Sequence, residues 1–255
     1  MIEREELVEI QLKVLDCEGL VEKICEVISS KQIINIIPSD YRVLNYLYYN
    51  KLEIFNSPNT IAYPDSSLVF ITAKLFGLGK YLSKRIVSTD FHLELLASAN
   101  KENRKMFLLG DTNSTLKTFC CKLSAEYPNI KIVGNLNGYS DLSREDIYRT
   151  INESFADILM IGLGVPLQEE WLNKSNHELD TPVRITCGAF LSFYSGQIKR
   201  APLLFRLLWM EWLFRFIHEP TRLFRRYFIE SLIFLSHHFK VKYGKRKAWY
   251  TITRY

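Results

Sequence analysis

Short apolar runs that end at turn-forming or polar residues recur along most of this 255-residue chain. The runs are Gln32–Ile37, Asn59–Tyr63, Met106–Leu109, Lys131–Val133, Asp157–Ile161 and Val183–Cys187. A short apolar run bounded by turn signals is typical of a strand buried on both faces, as in a parallel sheet. Helical patterns separate the runs, over residues 41–50, 68–76, 90–100, in a stretch that ends at 127, over 144–154 and after Pro166. This alternation predicts an α/β fold with a parallel sheet flanked by helices.

The two ends of the chain have different patterns. Residues 5–28 alternate acidic and apolar positions with helical spacing, which predicts one or two surface helices. Near the other end, apolar side chains share one helix face over residues 205–216, and Pro220 breaks that helix. A second apolar stripe follows over residues 223–232. The last part of the chain is therefore expected to be helical and amphipathic.

The basic residues are concentrated in this last part. We divide the chain into a body, residues 1–196, and an appendage, residues 197–255. The appendage holds 13 Lys/Arg against 3 Asp/Glu, a balance of +10, whereas the body holds 20 against 25, a balance of −5. Such asymmetry indicates an anionic partner: a membrane surface, a nucleic acid or a phosphorylated substrate. The amphipathic helices could lie on an anionic bilayer, or they could pack onto the body with their arginines in solvent.

The termini and the cysteines indicate a protein that stays inside the cell. The five cysteines have no C-x-x-C spacing, which favours reduced thiols. The opening MIEREELVEI is acidic and lacks the apolar core of a signal peptide. No apolar stretch approaches the roughly 18 residues that cross a bilayer.

Polar and glycine-rich loops follow the apolar runs. Ligands of parallel sheets bind beyond the C-terminal strand ends, so these loops are expected to line one edge. They contain Asp65, Gly110, Gly134–Gly138, Gly162–Gln168 and Gly188. In the loop that starts at Gly162, two glycines let the backbone approach a ligand, and Pro166 suits the first turn of a helix whose N–H groups favour anions. The alternative is that these glycines only close a turn.

The sequence leaves few chemistries open. The five histidines lack metal-ligand spacing, no D-x-D pair is present, and there is neither a Walker lysine nor a G-x-S-x-G elbow. A carboxylate base at Asp65, with arginines downstream, would suit transfer from a diphosphate leaving group without a metal. The alternative for Asp65 is the N-cap of the helix that follows it.

Several stretches resemble the WecG/TagA/CpsF glycosyltransferases (glycosyltransferase family 26). In chain order they are LLGD at Leu108–Asp111, YPNIKIVGNLNGY at Tyr127–Tyr139, GLGVPLQEEW at Gly162–Trp171, QIKRAP at Gln197–Pro202 and EWLFRFIHEPTRLFRRY at Glu211–Tyr227. The similarity extends over about residues 32–228.

The resemblance implies an inverting, metal-independent enzyme that needs no cofactor. It would move a sugar from a UDP-sugar donor to a polyprenyl-diphosphate-linked acceptor in the synthesis of a bacterial surface polysaccharide, of exopolysaccharide, capsule or teichoic acid type. The body would be Rossmann-like. The appendage would meet the anionic membrane surface, as a peripheral protein on the cytoplasmic face of the inner membrane.

The resemblance also assigns roles to residues. Asp65 in YPDSS falls on the family's general base. The R-x-x-G-x-D-L motif falls on residues 85–91 and keeps Arg85 and Asp90. With the strand-end loops, the expected nucleotide-binding residues are Gly110, Gly134, Gly138, Gly162, Gly164, Pro166, Gln168, Glu169 and Gly188. The residues expected near the substrate and its diphosphate are Arg85, Asp90, Arg200, Arg215, Arg222, Arg225 and Arg226.

The chain departs from the family pattern at several of these motifs. Ser66 and Ser88 replace motif glycines, and Ser192 replaces an aspartate, with Leu191 before it in place of phenylalanine. Ile37-Pro38-Ser39 stands where the pattern has Thr-x-Asn. These departures bear on sugar specificity and on activity. They leave open an alternative, a catalytically weakened member that acts as a binding subunit of a polysaccharide assembly complex.

A third hypothesis is a nucleic-acid-binding protein that uses the basic appendage. The wide apolar stripes of the appendage fit a bilayer or a core better than a phosphate groove, so we expect no nucleic-acid partner. Whether the chain forms a homo-oligomer stays open.

Overall fold

The computed structural model describes residues 10–78, 86–199, 201–202, 204–205, 208, 210–243 and 250–254. The strands are β1 Ile10–Val14, β2 Ile34–Ser39, β3 Thr60–Pro64, β4 Lys105–Gly110, β5 Lys131–Leu136, β6 Ile158–Gly162, β7 Val183–Thr186 and β8 Tyr250–Arg254. Six of these described strands, all parallel, form one sheet in the order β3-β2-β7-β6-β4-β5. The predicted Rossmann-like parallel sheet is therefore confirmed, and all six apolar runs are strands.

Helices cover both faces of this sheet. They are α1 Cys17–Ser30, α2 Tyr41–Tyr49, α3 Ser67–Leu75, α4 Ser88–Lys101, α5 Asn113–Glu126, α6 Arg144–Glu153, α7 Leu167–Ser175, α8 Phe190–Tyr194, α9 Glu211–His218, α10 Pro220–Phe224 and α11 Glu230–Tyr243. A 3₁₀ turn spans Glu53–Asn56, and a π-helical turn, Arg225–Ile229, joins α10 to α11. Five helices start with a side chain that accepts a hydrogen bond from the first-turn backbone, which satisfies N–H groups the helix leaves unpaired. These N-caps are Asp16, Asp40, Ser66, Thr112 and Ser143.

The sheet is buried on both faces, as its apolar runs predict. Along β6, Ile158 and Met160 belong to one apolar cluster, while Leu159 and Ile161 belong to another. Successive strand side chains point to opposite faces, so the two clusters lie on opposite sides of the sheet. This burial leaves the polar loops at the strand ends as the exposed edge.

The N-terminal prediction was wrong at residues 10–14, which form β1 rather than a helix. Ile10 and Leu12 alternate with polar residues, and both are buried against β8, where Ile10 is opposite Tyr250 and Leu12 opposite Ile252. A partner strand distant in sequence overrides the local helical pattern here. The later part of the prediction is confirmed by α1, whereas residues 5–9 lie outside the described residues.

The appendage packs against α2. The Tyr41 hydroxyl donates to the Arg226 carbonyl at 2.9 Å, and Asn45 Nδ2 donates to the Glu230 carbonyl at 2.8 Å. Pro220 opens α10, as predicted. The continuous helix predicted over residues 205–216 was wrong, because α9 begins only at Glu211. Strand β8 was not predicted. Among the described helices, none is long and apolar enough to cross a membrane.

Candidate functional site

A cleft of about 1200 Å³ opens beyond the C-terminal ends of β2, β3, β6 and β7. The loops after these four strands form one side of it, and residues of α9, α10 and the π-helical turn form the other. This is the edge of a parallel sheet at which ligands bind. The cleft is therefore the candidate site, and it lies between the body and the appendage.

Asp65 lines the cleft directly after β3. Its Oδ1 accepts a hydrogen bond from the Ser88 backbone N–H at 2.9 Å. The residue that caps α3 is Ser66, whose Oγ accepts from the Val69 N–H at 3.2 Å. The N-cap alternative for Asp65 was thus wrong for the helix that follows it. Its carboxylate instead accepts a hydrogen bond from the first turn of α4. Val87, at the cap position of that helix, makes no side-chain hydrogen bond.

The loop between β6 and α7 contributes Gly164 to the cleft, the first turn of α7 contributes Gln168, and the loop after β7 contributes Gly188. Gly164 has φ +80°, and apart from its two chain neighbours no described residue has an atom within 4 Å of the position a Cβ would take. Gln168 is buried, and its Oε1 accepts from the Gly188 N–H at 3.0 Å. This bond ties the two loops together, so a ligand at either would meet both.

Glu169 lies beneath this contact. It is 1% exposed, and its Oε1 accepts from Gln168 Nε2 at 2.7 Å. Its Oε2 has no hydrogen-bond partner among the described residues. Burial raises the pKa of this carboxyl to about 7, against the opposing effect of the bond from Gln168. Neither Glu169 nor the neighbouring Pro166 lines the cleft.

Four of the glycines predicted at the site lie outside the cleft lining: Gly110, Gly134, Gly138 and Gly162. A Cβ on Gly110 would lie 2.4 Å from the Gly162 carbonyl oxygen, and one on Gly134 would lie 2.4 Å from the Phe107 ring. At Gly110 the ends of β4 and β6 lie too close together for a side chain, and at Gly134, within β5, the Phe107 ring of β4 occupies the space. Close packing accounts for these glycines without a ligand.

Three of the predicted arginines line the cleft. The Arg215 guanidinium lies 4.8 Å from the centre of the Phe193 ring. Arg222 pairs with Glu219, and this bond lowers the pKa of that carboxyl. Arg226 Nη2 lies 3.5 Å from Asp40 Oδ2. These three cations make the appendage side of the cleft a wall suited to an anion.

Two further predicted residues, Arg225 and Asp90, are not part of the cleft lining. Arg225 is exposed and Asp90 is an exposed residue in the first turn of α4, and neither lines the cleft. Arg85 and Arg200 lie outside the described residues. Arg222, Arg225 and Arg226 were predicted to sit together, but the π-helical turn points Arg226 toward Asp40 and leaves Arg225 in solvent.

The start of α2 is a part of the site that the sequence did not indicate. Arg42 Nη2 donates to the Val165 carbonyl at 3.1 Å, and its Nε lies 3.2 Å from Glu230 Oε2. Asp40 caps α2 and also pairs with Arg226. This turn therefore joins the β6–α7 loop to the appendage. Only its N-cap signal was visible in the sequence, because its partners lie more than 100 residues away.

Besides Ser66, which caps α3, a second departure from the family pattern has a visible contact. Ser192 donates to the carboxylate of Asp111, beyond the end of β4. Asp111 does not line the cleft. This polar pair links the loop after β4 to α8, and neither of its residues lines the cleft.

Comparisons with known proteins show what this chain is similar to. The model of the Glycosyl transferase WecG/TagA/CpsF family matches residues 5–248. A protein of Bacillus subtilis (strain 168), named N-acetylglucosaminyldiphosphoundecaprenol N-acetyl-beta-D-mannosaminyltransferase, is 34% identical over 170 residues, which are 67% of this chain and 65% of the relative. A protein of the same name from Staphylococcus aureus (strain MW2) is 30% identical over 215 residues, which are 83% of this chain and 81% of the relative.

Proposed function

The chain belongs to the WecG/TagA/CpsF family of glycosyltransferases, and on this premise we propose that it transfers an N-acetylhexosamine from a UDP-sugar to a sugar carried on polyprenyl diphosphate. One observation carries the proposal. A single cleft contains a carboxylate at Asp65, the joined loops at Gly164 and Gly188, and the arginines of the appendage. In this proposal the carboxylate is the general base, the loops bind the nucleotide and the arginines bind the diphosphate.

In this proposal Asp65 is the general base. The carboxylate takes the proton of the acceptor hydroxyl while the hydroxyl oxygen forms a bond to the anomeric carbon of the donor. The bond from that carbon to the diphosphate breaks in the same step, so the anomeric centre inverts. The Ser88 N–H holds one carboxylate oxygen and thereby orients the group, which supports this role.

The arginines compensate for the charge of the phosphates. Arg215, Arg222 and Arg226 line the cleft on the side formed by the appendage. Although burial opposes it, the pKa of Arg226 is raised overall because Asp40, Tyr227 and Tyr41 lie close, so its charge persists. Guanidinium groups form strong, often bidentate bonds with phosphate, and they can stabilise a leaving diphosphate without a metal.

We further propose that the appendage binds the anionic membrane surface at the cytoplasmic face. Large apolar side chains of α9 to α11 remain exposed, among them Trp212 at 44%, Phe224 at 53% and Leu232 at 66%. The appendage as a whole, residues 197–255, has a balance of +10 charges. Aromatic and basic residues together favour the interface of an anionic bilayer. A lipid-linked acceptor keeps its diphosphate at the headgroup level, within reach of the appendage.

The test is a donor screen with a short-chain polyprenyl-diphosphate-linked N-acetylglucosamine as acceptor, following release of UDP. The wild type should release UDP with at least one UDP-N-acetylhexosamine, and the product should be inverted at the anomeric carbon. Asp65→Asn keeps the oxygen that accepts from Ser88 but removes the base, so it should slow transfer about 10²–10⁴-fold. Asp141→Asn, in an exposed loop, is the matched control.

Two results would contradict this proposal. Unchanged turnover in Asp65→Asn would leave Asp65 with only its bond to α4. Tight donor and acceptor binding with no turnover across the screen would favour the alternative, a binding subunit of a polysaccharide assembly complex.

A further inference from the structure

The floor of the cleft contains buried polar side chains that the proposed mechanism does not use. His92 and Thr186 line the cleft and are both 0% exposed. Thr186 Oγ1 has no hydrogen-bond partner among the described residues. The His92 ring and the Ser88 hydroxyl have no partner there with full hydrogen-bond geometry, although the Ser88 carbonyl lies close to the His92 ring and the Tyr63 hydroxyl lies close to the Ser88 hydroxyl. Buried polar groups in proteins are nearly always hydrogen-bonded, and leaving one unpaired is costly. Such a cluster inside a cleft indicates groups that bind a ligand.

The position of this floor identifies the part of the ligand that it would meet. Ser88 starts α4 next to Asp65, and His92 follows one helical turn later. Thr186 ends β7 and leads to Gly188, whose N–H is bound by Gln168. The floor therefore extends from the candidate base to the candidate nucleotide loops. During transfer, the donor sugar lies between its own diphosphate, held at the nucleotide loops, and the acceptor hydroxyl, held at the base. The floor is therefore where the donor sugar would lie.

The chemistry of the floor is both polar and apolar. Burial lowers the pKa of His92 to about 3, with a partial offset from the Ser88 carbonyl, so its imidazole is neutral and offers one donor and one acceptor. The ring centre of Phe190 lies 4.6 Å from that of His92, and the Cys187 thiol is buried beside Thr186. An acetamido group presents one N–H, one carbonyl and one methyl, which match a neutral imidazole, a hydroxyl and an apolar wall.

We propose that Ser88, His92 and Thr186 form the subsite for the acetamido group of the donor sugar. The subsite rests on the proposed function, because it assumes that the donor is a nucleotide sugar. His92 and Thr186 bind the carbonyl and the N–H, while Phe190 and Cys187 contact the methyl. Ser88 stands where the family pattern has glycine, so it adds a hydroxyl specific to this chain.

The test measures donor binding without any acceptor. Isothermal titration calorimetry of the full chain with UDP, UDP-glucose, UDP-N-acetylglucosamine and UDP-N-acetylmannosamine gives the preference for an acetamido group. At least one N-acetylated donor should bind the wild type more tightly than UDP-glucose. Thr186→Val should reduce that preference about three- to tenfold, the effect of one lost hydrogen bond, with the Kd for UDP unchanged. The control is Thr181→Val, buried before the opposite end of β7.

A second variant and a spectroscopic signal cover the case in which Thr186→Val does not fold. His92→Gln should reduce the same preference. In the wild type, the ¹⁵N signals of the His92 ring, assigned by their loss in His92→Gln, should shift with the N-acetylated donor and not with UDP.

The inference is overturned if folded variants keep the full preference, or if they weaken UDP binding by the same factor. It is also overturned, together with the proposed function, if the intact protein binds none of the UDP compounds. A retained preference that depends on Thr186, in a protein that transfers no sugar, would support the subsite and contradict only the proposed transfer.

Discussion

Replacing Glu169 with glutamine should change how the stability of the protein depends on pH. The unfolded carboxyl has a pKa of 4.5, and burial raises the folded-state pKa to about 7. Between these values the folded state holds the proton more tightly than the unfolded state. The stabilisation is therefore complete below about pH 4.5, declines as the pH rises and is lost above about pH 7.

The magnitude follows from the two pKa values. Their difference corresponds to about 3 kcal/mol of unfolding free energy, most of which is lost between pH 5 and pH 8. Glutamine keeps the oxygen that accepts from Gln168 but cannot ionise. The free energy of unfolding of Glu169→Gln, relative to the wild type, should thus rise by about 2–3 kcal/mol over this range. For a chain of this size, that is about 5–10 °C in Tm.

Urea denaturation and thermal melting at pH 5, 6, 7 and 8 would measure this difference. Taking the variant relative to the wild type at each pH removes the contribution of every other titrating group. Glu145→Gln, at the exposed start of α6, is the control and should show no trend. A constant difference between Glu169→Gln and the wild type at all four pH values would refute the reasoning, because it would mean that Glu169 titrates alike in both states.

Three further predictions concern the chemistry and the membrane. Arg226→Gln should lower turnover about 10–100-fold, the effect of a lost charge-assisted bond, even with a water-soluble acceptor diphosphate. The control Arg149→Gln, at an exposed arginine, should not lower turnover. Equal turnover in Arg226→Gln and the wild type would contradict a role of Arg226 in binding phosphate. Turnover should survive excess EDTA, and a loss that magnesium restores would contradict arginine-based stabilisation of the leaving group. Intact protein should float with anionic liposomes at low salt, and deletion after Gly196 should reduce flotation. The reason is that each basic residue near an anionic surface contributes about 1 kcal/mol to membrane binding. If the intact protein does not float at low salt, the membrane role is excluded.

The sequence allowed most of the fold to be predicted. Each strand of the large sheet follows from an apolar run, because a strand buried on both faces needs apolar residues on both. The helix start at Asp40 and the break at Pro220 were also visible, because capping and proline geometry act within a few residues. Strand β1 was missed for the opposite reason. Its partner β8 lies near the other end of the chain, and nothing near Ile10 indicates it.

The candidate site was less predictable than the fold. Asp65, Gln168 and Gly188 were identified from strand-end position and resemblance, and all three line the cleft. Gly110 and Gly134 have the same local signal, but Gly110 packs against the end of β6 and Gly134 lies within β5 against the Phe107 ring. His92 gave no sequence signal, because a lone histidine on an apolar helix face is the same pattern whether its ring meets a cleft or a core.

The sequence by itself thus determined the six strands of the large sheet and their order along the chain, the sheet class, the basic appendage and a set of polar groups at one edge of the sheet. These depend on local patterns, and local patterns are written in adjacent residues. Only the tertiary structure decided which of those groups share a cleft. The strand order brings Asp65 and Thr186 to one opening although they are far apart in the chain, and the packing of the appendage on α2 brings Arg226 to the same place. Such proximity results from the free energy of packing the whole chain, so no single stretch of sequence contains it.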